Sequence, residues 1–452
     1  MVNDVFIKKM IFEIASDSYS SVKKFNLMRT INILLVLSFL FWKNEVKACS
    51  IFCAADGENI LVAGNEDWSD PFTKIWVHQK SKTNYGALYI GHSDYQAQFG
   101  INEWGLTFDF TAIPRVEGKN LEGKESCKEE LFLEILSNCK NLKEALVFLN
   151  KYKYSSPYSQ AMISDSEGNS AVVNQDGIII KSKNYQIITN FNYCNSSIDN
   201  SCKRYEIIEN SLANSNNISI SLFKKLLCQT HQENEYPTQF SYIIDQNSGE
   251  IHLFSFHNYE DNLVLKFREL IGNGFMLKNL KDMLPPSFAE LDFRMNHPDS
   301  LKQKLIDQLH YKSAEAVLNH YQNLINDDPK IAGYPYLLIG IAASIIGEVS
   351  VRETGGKPFY FWWYPTKYFN YQFNNPLLSK TLKLLTFLEK IPKDDPKQNI
   401  GAFEFKAIIY AFQGNKTKAE EYLLKTINIA PEETGNYKRS VQFLNYLKKH
   451  KE

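Results

Sequence analysis

The sequence predicts an α+β layered domain followed by an all-α helical region. Three observations carry that expectation. From residue 49 to about residue 275, short β-rich runs bounded by Gly, Asn, Asp or Ser are interrupted by a few helical patterns. Near Met283-Leu284-Pro285-Pro286 the texture changes, and beyond about residue 300 nearly every segment has a helical period. The 452 residues are 44% hydrophobic and 22% charged, a composition that buries cores and does not stay disordered. A formal net charge of −1 without a basic stripe gives no reason to expect nucleic acid as a partner.

Residues 1–48 form a leader. Met28-Arg29, a candidate start, precede the apolar run INILLVLSFLFW (31–42), shorter than the about 20 residues a membrane span needs. Small Ala48 behind it fits cleavage of a secretory signal peptide, which implies export to the periplasm or beyond. Lipidation of Cys49 is the alternative, and the one route by which this chain would meet a membrane.

Residues 49–275 follow as the α+β domain. ILVAG, ALYIG, GLTFDFTAI, SAVVN, GIIIKS, YQIITNF, FSYIID and EIHLFSF read as strands. The stretches 128–152 and 203–214 read as helices, the first a single helix carrying Cys139 with Cys127 at its start. Of seven cysteines, Cys194 and Cys202 bracket a polar loop and can close a small disulfide. No cysteine or histidine spacing fits zinc, so no structural metal is expected.

A linker, 276–300, leads to helices over 301–452. There Ala407, Tyr410, Gly414, Ala419, Leu423 and Pro431 fall at the spacing of a tetratricopeptide repeat. Only one unit matches well. Such helices offer a surface for a protein partner or self-association, although a single unit more often packs on its own domain. YLLIGIAASIIG (336–347) reads as a buried core helix, and the aromatic GGKPFYFWWYP (355–365) as core packing or a pocket wall.

Chemistry concentrates at CSIFCAADGENILVAGNEDW (49–68). Asp56-Gly57 is a strong hairpin signal between two apolar runs. A two-residue loop places Cys49 opposite Gly64, and a four-residue loop places it opposite Glu66. Either register returns Asn65 and Asp67 to Cys49. If cleavage follows Ala48, Cys49 carries both a thiol and an α-amine, whose pKa of roughly 8 lets it take the thiol proton. Asp67 can hold the two in orientation. Cys53 would need cleavage after bulky Phe52 and is read as core or disulfide.

This opening resembles that of the linear-amide C–N hydrolases, N-terminal-nucleophile enzymes of the choloylglycine hydrolase, penicillin V acylase and isopenicillin-N acyltransferase type. GINEWGLTFDFTAIP (100–114), YQIITNF (185–191), CKRYEIIENSL (202–212), YPTQFSYIID (236–245) and IHLFSFHNYED (251–261) continue the likeness in order. The resemblance implies an αββα four-layer sandwich. It implies Cys49 as nucleophile and base, Asp67 as its acidic support, Asn190 in the oxyanion hole, and Arg204 near the nucleophile, with Asn65 structural. Two positions depart from it: an arginine of bile salt hydrolases falls at Gly64 or is lost to a one-residue shorter hairpin, and a second oxyanion side chain falls at Ala112. Both argue against assuming bile salts or penicillin V as the substrate.

The remaining polar candidates read as structural. Asn102-Glu103 fit a strand-end turn, and His231 and His257 are not required as bases when a terminal amine is present. The expectation is an exported amidase acting on a small N-acyl amide through a thioester, without metal or organic cofactor. An acyltransferase of the same kind, or a non-catalytic binding protein using the helices, is the alternative. The identity of the acyl group rests with the loops 69–98 and 111–125.

Overall fold

The computed structural model describes residues 49–452 except 117, 119–120, 128–129, 196–201, 216, 234–235, 298, 328–334, 359–370, 392–394 and 450–452. It opens with the expected hairpin. Strand β1 (Ser50–Ala55) pairs antiparallel with β2 (Ile60–Asp67) in the register Ser50 to Asn65 and Ala55 to Ile60. The connecting turn is therefore four residues long. Asp56 holds it: Oδ1 accepts from the N–H groups of Glu58 and Asn59, and Oδ2 accepts from the distant Ile218 N–H at 2.8 Å. Gly57 supplies the left-handed backbone, φ +94°, that the turn requires.

Two all-antiparallel sheets follow. The first runs β10 (Tyr185–Ile188), β1, β2, β11 (Thr238–Asp245), β12 (Glu250–Ser255), β13 (Leu263–Lys266). The second runs β14 (Met276–Asn279), β3 (Lys74–His78), β4 (Ala87–Gly91), β5 (Ala97–Asn102), β6 (Thr107–Ala112), β7 (Ser159–Ser164), β8 (Ser170–Asn174), β9 (Gly177–Ile180). Strand alternation sorts their side chains. Ile51, Cys53 and Val62 of the first sheet meet Ile75, Leu88, Phe99 and Val172 of the second in one core. Phe52, Ala54, Leu61 and Ala63 point the other way, onto α3 (Lys203–Ala213) and α4 (Ile220–Thr230). Each such fully buried large side chain stabilises the fold by about 1.5–3 kcal/mol.

The outer face of the second sheet, with Trp76, Tyr89 and Phe108, packs on α1 (Leu131–Asn138), α2 (Leu142–Lys151) and much of the C-terminal helical region. The predicted 128–152 helix is thus two. Cys139 turns extended (φ −110°, ψ 143°), and Asn141 caps α2 by accepting from the Glu144 N–H. Short α5 (Phe267–Gly272) and α6 (Leu280–Met283) precede α7 (Phe288–Asn296), α8 (Asp299–Tyr311), α9 (Ala314–Asp327) and α10 (Pro335–Glu353). Then come α11 (Pro376–Lys390), α12 (Ile400–Phe412), α13 (Lys416–Ile429) and α14 (Gly435–Lys449).

These helices do not hang apart from the sheets, because residues 49–452 belong to one compact unit. Lys302 of α8 lies 3.6 Å from Asp70 in the loop after β2. Burial alone would push the Asp70 carboxyl up, but Lys302, His92 and Ser93 hold it down at about 2. On α10, Gly347 lies so close to the Asp94 carbonyl that a Cβ would come within 2.4 Å of the oxygen. Trp76 Nε1 donates to the Gly356 carbonyl at 3.1 Å. The helical region thereby braces the loop 92–96.

All seven cysteines are free thiols, so the expected Cys194–Cys202 bridge is not formed. The Cys194 thiol instead turns toward the Val172 and Gly177 carbonyls on the second sheet. Residues 1–48, expected to be a leader, and most of the aromatic 355–365 stretch lie outside the described residues. Among the described residues no helix is long and apolar enough to cross a membrane.

Candidate active site

Cys49 sits immediately before β1. The four-residue turn settles the register in favour of Glu66 as its neighbour: the thiol reaches Glu66 Oε2 at 3.7 Å and the Asp67 carbonyl at 3.9 Å. Alternation along β2 sends Glu66 between the sheets with Cys49 and sends Asn65 and Asp67 toward the helices. Asp67 there accepts from Thr238 Oγ1 at 2.5 Å, and its other oxygen lies 4.0 Å from Arg204 Nη1.

Arg204, near the start of α3, joins the parts. Its Nη1 donates to the Cys49 carbonyl (2.9 Å) and to Ser50 Oγ (2.6 Å), while Nη2 donates to Asn190 Oδ1 (2.8 Å). Asn190 in turn donates through Nδ2 to the Ala112 carbonyl at 2.8 Å. A planar guanidinium with five donors suits this bridging of three chain segments. All four residues singled out in the sequence, Cys49, Asp67, Asn190 and Arg204, are therefore in one place.

Three further groups complete the site. Gly64 has no room for a side chain, since a Cβ there would meet Tyr242 and Asp109 at 2.8–2.9 Å. Those two residues fill the space at the glycine, and Tyr242 donates its hydroxyl to Asp109. Glu66, Asp67 and Asp109 are 1–2% exposed, an unusual concentration of acid in a core. Burial pushes Glu66 well above the carboxylate range, and Asp109 adds to that. Burial likewise lifts Asp109 to about 7, with the Tyr242 hydrogen bond opposing it. Asp67 is raised by burial against the opposing pull of Thr238 and Arg204. Burial, then the charges of Glu66 and Asp67, raise the Cys49 thiol far above its ordinary value. Glu66 Oε1 and Asp67 Oδ2 are fully buried and make no hydrogen bond of ordinary geometry.

The thiol opens onto a cavity of about 400 Å³ whose walls include Trp68, Asp94, Phe110, Tyr154 and Tyr158. Trp68 stacks on His92 with ring centres 5.0 Å apart, and both belong to this wall. The loop 92–96 braced by the helical region supplies one side of it. Neither lysine nor arginine lines the cavity among the described residues.

Asn65 comes back beside the start of β1 as expected, but its side chain is bonded to the α4 end and β11 and not to the thiol. Asn102 makes the predicted strand-end turn, its side chain accepting from Trp104 and Leu106 N–H groups. Sequence reasoning placed Glu66 opposite Cys49 in one register without giving it a role, and missed Asp109, Tyr242 and Thr238. A charged residue inside an apolar strand pattern was the available signal for Glu66 and Asp109, but only the register decides which face they take.

No protein-family model matches the sequence, and no curated protein matches it. Among solved structures, a point mutant of conjugated bile acid hydrolase from Clostridium perfringens is 18% identical, covering 52% of this chain and 96% of that one, with a TM-score of 0.39. A second variant of that hydrolase is 16% identical over 53% and 99% of the two chains, TM-score 0.41. Penicillin V acylase from Agrobacterium tumefaciens is 15% identical over 51% and 90%, TM-score 0.36.

Proposed function

We propose that this chain is an exported amidase that cleaves the linear amide of an N-acyl compound, with Cys49 as an N-terminal nucleophile after cleavage behind Ala48. The observation that carries the reading is the convergence of Asp67, Asn190 and Arg204 on Cys49 at the mouth of a cavity. The layered sheets and helices are read as an αββα sandwich, and α12–α13 as a tetratricopeptide-like pair.

In the uncleaved chain the thiol is buried among acids and stays protonated. Cleavage places an ammonium on the same residue, and Asp67, whose Oδ2 makes no hydrogen bond, is its proposed partner. A positive charge so close lowers the thiol pKa and steadies the carboxylate. In its neutral form the amine takes the thiol proton as sulfur bonds to the substrate carbonyl carbon. Asn190, oriented by Arg204, meets the oxyanion, its Nδ2 giving one hydrogen to the Ala112 carbonyl and the other to the substrate oxygen. The C–N bond then breaks, and the leaving nitrogen takes the proton from the ammonium. Water, deprotonated by the same amine, attacks the thioester, and the sulfur leaves as thiol.

The test joins mass spectrometry of the mature N-terminus to an N-acyl amide panel on wild type, Cys49→Ser and Cys49→Ala. A mature chain that starts elsewhere, or an active Cys49→Ala enzyme, overturns the proposal.

A further inference from the structure

Behind the site, on the helix side of the first sheet, His231, Glu233 and His257 bring one ligand atom each to within 4.8 Å of one another. His231 ends α4, Glu233 lies just beyond it, and His257 stands in the turn after β12. The imidazole of His231 is fixed by its Nδ1 contact, 2.5 Å from the Cys228 carbonyl. A carbonyl only accepts, so Nδ1 carries the hydrogen and the neutral ring presents a lone pair at Nε2. That lone pair faces Glu233 Oε1 at 2.9 Å. Two acceptors at that distance require a positive centre between them, either a proton or a cation.

The third group favours a cation. The His257 ring lies parallel to that of His231 with centres 5.0 Å apart. Two imidazoles on one tetrahedral ion, with metal–nitrogen bonds of about 2 Å, have their centres about 5 Å apart. A ligating histidine ordinarily gives its second N–H to a carbonyl, as His231 does here.

We propose that His231, Glu233 and His257 form a divalent transition-metal site, suited first to zinc, with water in the fourth position. The site goes beyond the amidase reading and stands without it. Its neighbour Gln232 donates its N–H to Thr238 Oγ1 at 2.9 Å and accepts from the Thr238 N–H at 3.0 Å. Thr238 is the residue that donates to Asp67. The ion therefore fastens the segment that clamps Asp67 and acts as a structural tie. Spacing along the chain hides it because His257 comes from a different hairpin.

The test uses the untagged full chain, stripped with chelator and titrated with zinc by calorimetry, and with Co²⁺ by visible spectroscopy. One zinc equivalent at micromolar or tighter affinity, a tetrahedral Co²⁺ spectrum and a thermal midpoint raised by zinc are expected. His231→Ala and His257→Ala should each weaken zinc at least thirtyfold, and Glu233→Gln, at an exposed position that leaves folding intact, about tenfold. Absence of binding, millimolar affinity, or affinity unchanged in His257→Ala and Glu233→Gln overturns the site and leaves a proton-held ion pair.

Discussion

Asn65 and Glu66 are consecutive buried polar residues on β2, and their surroundings are opposite. Asn65 uses its whole hydrogen-bonding capacity: Nδ2 donates to the Leu227 carbonyl and Thr230 Oγ1, and Oδ1 accepts from Ser241 and Tyr259. Glu66, on the other face, lies against Asp109 and the Cys49 thiol, and its Oε1 makes no hydrogen bond of ordinary geometry. A satisfied buried network rigidifies a fold, whereas an unsatisfied one costs stability and persists where chemistry uses it. One strand therefore carries a saturated polar residue and an unsaturated one side by side. The distinction is energetic, because both residues are equally hidden from water.

Substitutions can break that comparison. Cys49→Ala should lower amide turnover by at least about a thousandfold, with the thermal midpoint nearly unchanged. Assay and calorimetry on one preparation check both halves. Asp67→Asn keeps the shape and the Thr238 contact but removes the charge facing the amine. Turnover should fall on the order of a hundredfold, most of it in kcat. Asn65→Ala tests the saturated network. It strands four partners and should cost about 3 kcal/mol in denaturant unfolding, while the molecules that remain folded keep their turnover. Turnover lost in proportion beyond the unfolded fraction would abolish the division of labour.

The smallest effect sharpens it through pH. Asp109 has a folded pKa of about 7, raised from 3.8, so the folded state binds its proton more tightly than the unfolded state. Its contribution to stability is complete below about pH 4 and is lost as pH rises through 7. Asp109→Asn should flatten that decline and gain roughly 1–2 kcal/mol over wild type at pH 8. Thermal midpoints from pH 4 to pH 8 check it, and parallel curves for the two proteins count against a buried shared proton. Processing should act in the same direction, since the new ammonium at Cys49 favours the ionised carboxylates.

Much of the frame was legible because it is local. ALYIG and SAVVN became β4 and β8 without change of boundary, since turn residues punctuate both ends. The 203–214 helix became α3, ending one residue earlier. The 128–152 stretch was misjudged because its apolar period runs through 139–141, where Asn141 competes as a cap. KIWVH, AQFGIN and SQAMIS, which form β3, β5 and β7, were not among the strands read from the sequence, and their pairing partners supply what local propensity does not.

By itself, the sequence determined that a hairpin over 49–68 would bring Asp67 back to Cys49, because a turn and a period of two are properties of adjacent residues. Only the tertiary structure decided what surrounds that meeting. The Ile218 N–H on Asp56 helps hold the four-residue turn, and with it the face that Glu66 takes. Arg204 crosses 155 residues of chain to bind the Cys49 carbonyl, and Tyr242 with Asp109 fills the space at Gly64. Such contacts are set by close packing between distant segments, where a side chain's chemistry depends on which neighbours exclude water from it.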